Sequence, residues 1–509
     1  MPRPTAYPLA SFLIPLAVRL IPEWLSYPYP IGFDTIAYYI PIMLSRIALR
    51  ASLMDYLVGT ILLYLPLTIV STVSGNVILT MKLVPALLVG LLGLASYSLG
   101  RRYLNWGTRR SLGLALVLCS YFVTLRISWD LQRNVLGLIL VLATVAMLED
   151  RHSRTHYLAF PAVSGLAVMT HEASAALVEI IAAAHLSAER RYRVLTEWLP
   201  FLPAALLALL QLLTRSELAL QIQEGPRIPG ALAAVQYNSG FLLFAYGLIL
   251  PLALIGLKSG IRRHLSLWAV VCLFFGLLPN TGMPTGASYR WSLLLVFPLA
   301  VLFMQGISVL NSVKGNWERS FGRSLVAGSL LAILIVSSGY VGLSSASRQY
   351  FGLAPQYRSL MPTSMVESTI SIADIPSVKS IANWADQNLP HAALLILPFQ
   401  LYGWYVMELS SQGGLVYAPT EEPVNVDETI AAIQPRSGPQ LFYANSVDVY
   451  DYQGAELLTN LASQLQVGTS SLYVVWWSPD SPEQPSFSLP ASFVVVHQAG
   501  SFAIFSFGS

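Results

Sequence analysis

The sequence has few charged residues. Asp, Glu, Lys and Arg make up 11% of its 509 residues, whereas soluble domains carry about 25%. Hydrophobic residues make up 55% of the chain. The shortage of charge excludes an ordinary soluble domain and predicts a polytopic α-helical membrane protein. The N-terminal apolar segment, Pro8–Leu25, has no clear small-x-small cleavage site. It is therefore expected to be the first span and not a cleaved signal peptide.

Cysteine is also scarce. The two cysteines, Cys119 and Cys272, both lie in apolar segments, and residues 344–509 contain none. This excludes a disulfide framework and a cysteine metal site in the C-terminal part. The basic residues are spread over several short loops and do not form one face, so the sequence predicts no nucleic-acid partner.

Charge of the two signs is divided unevenly along the chain. Residues 1–343 contain 25 Lys and Arg against 13 Asp and Glu, whereas residues 344–509 contain 4 against 13. Basic residues collect in cytoplasmic loops, so the acidic part is expected outside the cytoplasm. The sequence thus predicts a transmembrane domain, 1–343, and an extracytoplasmic C-terminal α/β domain, 344–509, in which a helix at 377–387 leads into a strand at 392–397.

Five basic loops hold 15 of the Lys and Arg residues: 101–110, 151–154, 190–193, 258–263 and 314–323. All five face the cytoplasm if residues 157–185 form a pair of helices and residues 53–73 do not cross the membrane. This arrangement gives about eleven spans, a cytoplasmic N-terminus and a first external loop at 27–82. If residues 53–73 did cross, Asp34 would lie on the cytoplasmic side.

One acid, Asp34, stands in the segment YPYPIGFDTIAYYIP, residues 27–41, directly after the first span. An ionised carboxylate is costly near a membrane, so one held at the water boundary is a candidate for chemistry. The alternative is that Asp34 caps a helix that begins at Thr35. In the first span, Arg19 is expected to pair with Glu23 one helical turn away.

Four segments resemble the GT-C superfamily of polyprenyl-phosphate-dependent glycosyltransferases, which includes protein mannosyltransferases, aminoarabinose transferases and oligosaccharyltransferases. GFDTIAYYI resembles the first external loop of that superfamily. MKLVPALLVGLLGLASYSLGRRY, followed by LRISWDLQRNVLGLIL, resembles its second and third spans and second acidic loop. GLAVMTHEASAAL resembles a short external turn, and SIANWADQNLPHAALLILPFQLYGWYV resembles the start of its external domain.

The resemblance implies a membrane enzyme that transfers a sugar, with inversion, from a polyprenyl-phosphate donor to a lipid, glycan or protein acceptor on the extracytoplasmic face. Asp34 is then expected to be the general base that takes the proton of the acceptor hydroxyl. Asp130 is expected to be the second catalytic acid. The alternative for Asp130 is a salt bridge with Arg126 or Arg133.

Five further residues are expected to bind substrate. Arg290 is the predicted contact to the donor phosphate, through its planar and always charged fork, or else an interfacial anchor beside aromatic neighbours. His171 and Glu172 are predicted to line the sugar pocket, or else to cap helices at a turn. Arg133 is a second phosphate candidate, and Tyr38 is predicted to contact substrate from the Asp34 segment.

Two departures separate the chain from the oligosaccharyltransferases. Those enzymes carry a Trp-Trp-Asp-Tyr-Gly motif where this chain reads FQLYG, residues 399–403. They also hold a divalent metal with paired acids where this chain has the lone Asp130. No cofactor is therefore certain, and a Mg²⁺ or Mn²⁺ ion, if bound, is expected on Asp34 and Asp130. A transporter or scaffold is the alternative from another class, but a transporter is expected to have internal repeats and mid-membrane acids.

Overall fold

The computed structural model describes most of the helical part of the chain and selected parts of the remainder. The described residues are 6–32, 34–59, 61–148, 154–188, 198–214, 231–260, 262–277, 291–312, 316–344, 374–389, 394–397, 404, 440–443, 472–480 and 493–507. They belong to two compact units. The first, here called the helical unit, draws on Met1–Ile31 and Arg46–Ser345. The second, the sheet unit, draws on Gly32–Ser45 and Ser368–Ser509.

Helices make up nearly all of the described chain before residue 345. In chain order they are α1 (Ala6–Leu25), α2 (Ile40–Ser45), α3 (Ile47–Arg50), α4 (Leu53–Val58), α5 (Tyr64–Ser74), α6 (Val77–Ser98), α7 (Thr108–Ser120), α8 (Phe122–Asp130), α9 (Gln132–Met147), α10 (Arg154–Thr170), α11 (Glu172–Ala188), α12 (Leu202–Thr214), α13 (Ala231–Tyr246), α14 (Leu250–Leu257), α15 (Arg263–Leu277), α16 (Val296–Ser312) and α17 (Asn316–Ser344). Two π-helical turns, Thr35–Tyr39 and Leu99–Tyr103, precede α2 and follow α6.

Several of these helices are long and apolar enough to cross a bilayer, which makes the chain a membrane protein. Among the described residues four helices meet that requirement, at Ala6–Leu25, Val77–Tyr103, Trp291–Ser312 and Ser320–Ser338. The number rises to six if each of two bent pairs, α7 with α8 and α13 with α14, is counted as one span. Shorter apolar helices occupy the other predicted span positions, and the count of eleven stays a prediction.

The region 53–73 is broken into two short helices. α4 begins with a capping box, in which the side chains of Ser52 and Asp55 each accept a hydrogen bond from the other residue's backbone N–H. α5 ends at Gly75, whose φ of +64° is the left-handed conformation that closes a helix. The 11 residues of α5 span about 16 Å, against about 30 Å for the bilayer core. Neither α4 nor α5 is long enough to cross the bilayer alone, and the absence of a crossing at 53–73 stays a prediction.

The region 157–185 is a pair of helices, as predicted. α10 ends at Thr170, α11 begins at Glu172, and His171 lies between them. A Cβ atom added at Gly137 of α9 would lie 2.0 Å from the Ser174 hydroxyl oxygen. The missing side chain at position 137 therefore lets α9 approach the start of α11 closely.

α14 and α16 approach each other backbone to backbone. A Cβ atom added at Gly256 would lie 2.0 Å from the carbonyl oxygen of Leu302, and one added at Gly306 would lie 2.0 Å from that of Leu252. Small residues at such positions bring two helix backbones together, which is how apolar helices gain packing energy in a membrane.

The sheet unit contains a helix and a five-stranded sheet. α18 (Ile375–Asn388) precedes strands β1 (Leu394–Leu397), β2 (Gln440–Tyr443), β3 (Leu472–Trp477), β4 (Phe493–Ala499) and β5 (Phe502–Phe507), which lie in the order β2-β1-β3-β5-β4. The first three strands are parallel, whereas β5 is antiparallel to both β3 and β4. The predicted helix and the strand that follows it are thus present, and β4 and β5 form a hairpin. The predicted boundary at 343–344 falls at the end of α17, and residues 345–373 lie outside the described residues.

Candidate active site

Asp34 stands at the start of the π-helical turn Thr35–Tyr39, in the sheet unit. Its backbone has φ −63° and ψ −28°, and its side chain makes no capping hydrogen bond to that turn. A residue that caps a helix with its side chain normally has extended backbone angles. The half-buried carboxylate of Asp34 therefore does not act as an N-cap. Tyr38, four residues later, is half-buried in the same turn.

The other predicted site residues belong to the helical unit. Asp130 is the last residue of α8, and its side chain lies outside the described residues. Arg133 is half-buried in the first turn of α9. His171 is 7% exposed. It packs against α9, because a Cβ atom added at Gly137 would lie 3.6 Å from the Cβ atom of His171. The side chain of Glu172 and all of Arg290 lie outside the described residues.

The packing brings several of these positions to the same end of the helical unit. Helices α1, α8 and α10 finish at this end, while α6, α9 and α11 begin there. We call it the Asp130 end. The approach of α9, which begins just after α8, to the turn at His171 places the loops after α8 and after α10 at this end.

A buried ion cluster holds the Asp130 end together. Arg19 and Glu23 form the predicted ion pair one helical turn apart, with Nη1 2.8 Å from Oε1, and both side chains are at most 2% exposed. Lys82 of α6 approaches the other Glu23 oxygen, Oε2, at 3.4 Å. Arg19 Nε donates to the Ser128 hydroxyl of α8 at 3.0 Å. The cluster thereby ties α1, α6 and α8 to one another.

The same cluster fixes the chain where it leaves α1. Lys82 donates hydrogen bonds to the Ser26 hydroxyl, at 3.2 Å, and to the Tyr29 carbonyl. The Ser26 hydroxyl also donates to the Tyr29 carbonyl, at 2.7 Å. Asp34 follows Tyr29 by five residues in the chain. The segment that carries Asp34 therefore follows a residue, Tyr29, whose carbonyl is held by two hydrogen bonds.

Among the described side chains, the cluster carries an excess of positive charge. Two cations, Arg19 and Lys82, face one carboxylate, Glu23. The second terminal nitrogen of Arg19, Nη2, is buried without a hydrogen-bond partner among the described residues. Burying an uncompensated charge is costly, so this arrangement favours an anion near the ends of α1 and α6. The sequence shows one sign of this feature, a lone lysine in an otherwise apolar helix, but it does not show which residues surround that lysine.

Asp55, another acid of the predicted first external loop, has a structural task. Its Oδ2 accepts hydrogen bonds from the Ser52 hydroxyl, at 2.8 Å, and from the Ser52 backbone N–H, at 2.7 Å. These bonds hold the pKa of the Asp55 carboxyl below its usual value. Asp55 is exposed and is the third residue of α4, where its side chain completes the capping box with Ser52, the N-cap.

The described residues do not gather into a metal site. Within them, no three His, Cys, Asp or Glu side chains come close enough to hold one ion. Asp34 belongs to the sheet unit and the side chain of Asp130 is not described, so the proposed Mg²⁺ or Mn²⁺ ligands stay a prediction. No chemical step below depends on a metal.

The fold is similar to two solved structures along almost all of this chain. The arabinofuranosyltransferase AftD from Mycobacteria, solved by single-particle cryo-electron microscopy, matches with a TM-score of 0.55 and 14% identity over 98% of this chain. The chain spans only 40% of that protein. ArnT from Cupriavidus metallidurans, crystallised in the apo state, matches with a TM-score of 0.55 and 14% identity over 99% of this chain and 98% of its own.

Sequence comparisons add no assignment. No protein-family model matches the chain, and no curated protein matches it. The likeness is thus one of fold, at an identity too low to carry residue roles across. The chain therefore shares the overall fold of these two structures, which agrees with the resemblance of its sequence to the GT-C superfamily.

Proposed function

We propose that the chain is a membrane glycosyltransferase that transfers a sugar from a polyprenyl-phosphate-linked donor to an acceptor on the extracytoplasmic face. The observation that carries the proposal is the GT-C fold over 98–99% of the chain, shared with two proteins named for sugar transfer. Their names point to arabinose-type sugars, so arabinofuranosyl and aminoarabinosyl donors are the first to assay, with hexosyl donors beside them.

The proposed reaction is an inverting displacement at C1 of the donor sugar. Asp34 takes the proton of the acceptor hydroxyl, the freed oxygen bonds to C1, and the bond between C1 and the phosphate oxygen breaks. The phosphate leaves with the bonding electrons. The proton on Asp34 then passes to water. The half-buried position of Asp34 directly after the first predicted span supports this role.

The departing phosphate requires positive charge. Arg290 is the proposed contact, with Arg133 as a second one, and both are guanidinium groups that match the geometry of phosphate oxygens. The excess positive charge of the buried cluster at the ends of α1 and α6 supports an anion at the Asp130 end. Asp130 is proposed to orient the acceptor.

Three further residues complete the proposed site. His171 and Glu172 at the turn between α10 and α11 are proposed to line the sugar pocket. Tyr38 is proposed to contact the substrate from the Asp34 segment. In the proposed topology the N-terminus is cytoplasmic, and Asp34 and the sheet unit are extracytoplasmic. The short lengths of α4 and α5 support it, because an additional crossing there would place Asp34 on the other side.

The test replaces Asp34 with asparagine. Asp34→Asn is expected to lower the turnover of a polyprenyl-phosphate sugar by roughly a hundred-fold to ten-thousand-fold, the usual contribution of a general base. The matched control is Asp55→Asn, which removes the charge of an exposed acid from the same predicted loop and is expected to keep turnover within a few-fold. Thermal unfolding of both variants checks that they fold. Near-normal turnover by a folded Asp34→Asn protein would remove Asp34 as the base.

A further inference from the structure

The end of the helical unit opposite the Asp130 end presents cations to the surroundings. α6 and α11 finish at this end, and α7 and α15 begin there. Residues 99–112 and 256–268 contain seven Lys and Arg and no Asp or Glu. Four of the seven are exposed, namely Arg101, Arg102, Arg109 and Lys258. We call this surface the arginine end.

In residues 99–112, two arginine side chains contact the buried Trp106. Trp106 is only 8% exposed, and its backbone N–H donates to the Gly100 carbonyl at 2.8 Å. Its own carbonyl accepts a hydrogen bond from Arg101 Nη1 at 2.5 Å. The guanidinium carbon of Arg110 lies 3.7 Å from the centre of the Trp106 ring, a cation–π contact. The charges are thus carried by a defined loop and not by flexible tails.

A chain of hydrogen bonds joins this loop to the second basic segment and to α11. The Tyr103 hydroxyl lies 2.6 Å from His264 Nδ1, and His264 Nε2 lies 3.0 Å from His185 Nδ1. The guanidinium carbon of Arg262 lies 5.0 Å from the centre of the Tyr103 ring. The two segments therefore form one continuous cationic surface.

Apolar side chains border this surface on α14, which ends directly before Lys258. Leu254 and Leu257 of α14 are 54% and 49% exposed. A ligand that fits both features carries an anionic group for the arginines and hydrocarbon for the leucines. Free inorganic phosphate has only the first of these.

We propose that the arginine end binds the phosphodiester headgroups of anionic phospholipids in the leaflet that it faces. The guanidinium forks match phosphate oxygens, and basic surfaces at the ends of transmembrane helices attract anionic headgroups with a strength that falls as salt rises. The acyl chains then lie along the exposed side chains of α14. None of these residues belongs to the proposed transfer site, so this inference does not depend on the proposed function.

The test measures lipid selectivity of the full chain in bilayers. The protein is reconstituted in phosphatidylcholine with a trace of spin-labelled phosphatidylglycerol or spin-labelled phosphatidylcholine, and electron paramagnetic resonance gives the relative association of the two labels. The wild type is expected to select the anionic label at low salt. Arg102→Gln combined with Arg109→Gln is expected to lower that selectivity roughly twenty-five-fold, which corresponds to a fivefold loss for each removed charge.

The matched control is Arg46→Gln combined with Arg50→Gln, which removes two exposed arginines of the helical unit outside these segments. The control is expected to keep the selectivity of the wild type. Equal selectivity in the Arg102/Arg109 variant and the wild type, or an equal loss in the control, would overturn the proposal. Displacement of the anionic label by inorganic phosphate, beyond the effect of potassium chloride at the same ionic strength, would also overturn it in favour of a free-phosphate site.

Discussion

The two ends of the helical unit hold their cations in opposite ways. At the Asp130 end, Arg19 is fully buried and Lys82 is 7% exposed, and both share Glu23 as the counter-charge. At the arginine end, Arg102 and Arg109 are exposed, in segments that contain no acid. A buried cation depends on its partner for stability, whereas an exposed one is solvated and contributes little to folding. Substitutions at the Asp130 end should therefore change the stability of the protein, and those at the arginine end should change its binding to other molecules.

The largest expected difference comes from removing the shared counter-charge. Glu23→Gln leaves Arg19 and Lys82 buried without an acid and is expected to destabilise the protein by about 3–5 kcal/mol. Thermal or denaturant unfolding of the detergent-solubilised protein measures the change. Arg102→Gln is the control at the opposite end, with an expected effect within about 0.5 kcal/mol. If the two variants unfolded alike, the contrast between the ends would not hold.

A smaller difference is expected from adding one methyl group at each end. Gly137→Ala places a Cβ atom 2.0 Å from the Ser174 hydroxyl oxygen, so that hydroxyl must rotate away or α9 must shift from α11, at a cost of about 1–3 kcal/mol. Gly107→Ala meets no atom within 4 Å and is expected to cost less than about 1 kcal/mol as a weaker N-cap residue of α7. Unfolding midpoints of the two variants decide the matter, and a costlier change at position 107 would contradict the packing described here.

The smallest expected effect concerns the hydrogen-bond chain of the arginine end. Tyr103→Phe removes the hydroxyl that meets His264 at 2.6 Å and is expected to cost about 1 kcal/mol. Tyr97→Phe on α6 is the matched control. Tyr97 is buried, and its hydroxyl makes no hydrogen bond within the described residues. Both changes in stability are measured by thermal unfolding. If Tyr97→Phe lost more stability than Tyr103→Phe, the hydrogen bond between Tyr103 and His264 would contribute nothing to stability.

Local features of the fold followed from the sequence where apolar runs were interrupted. The pair of helices at 157–185 was predicted from its length and the polar THEAS, and the structure breaks it at His171. The ion pair between Arg19 and Glu23 was predicted from a spacing of four residues and is present at 2.8 Å. The strand β2, Gln440–Tyr443, was missed. Its four residues carry too little pattern to stand out from the surrounding chain.

For the candidate site, too, the sequence predicted some features and left others open. Composition indicated a membrane protein, and the position of Asp34 after the first span marked it as a candidate, since both follow from the cost of charge near lipid. The sequence left open whether Asp34 caps a helix, and backbone angles with no capping hydrogen bond answered that question. The roles of all the predicted site residues stay predictions, and the side chains of Asp130, Glu172 and Arg290 lie outside the described residues.

By itself the sequence determined the class of protein, the positions of most apolar helices and the pairing of residues one helical turn apart, since these depend on local spacing and on the transfer of side chains from water to lipid. Only the tertiary structure decided that Lys82 joins Arg19 and Glu23, that Ser128 completes their hydrogen bonds, and that Tyr103, His264 and His185 form one chain. These contacts join residues that lie 56 to 161 positions apart in the sequence. The periodicity of a single helix does not indicate which other helix it will contact.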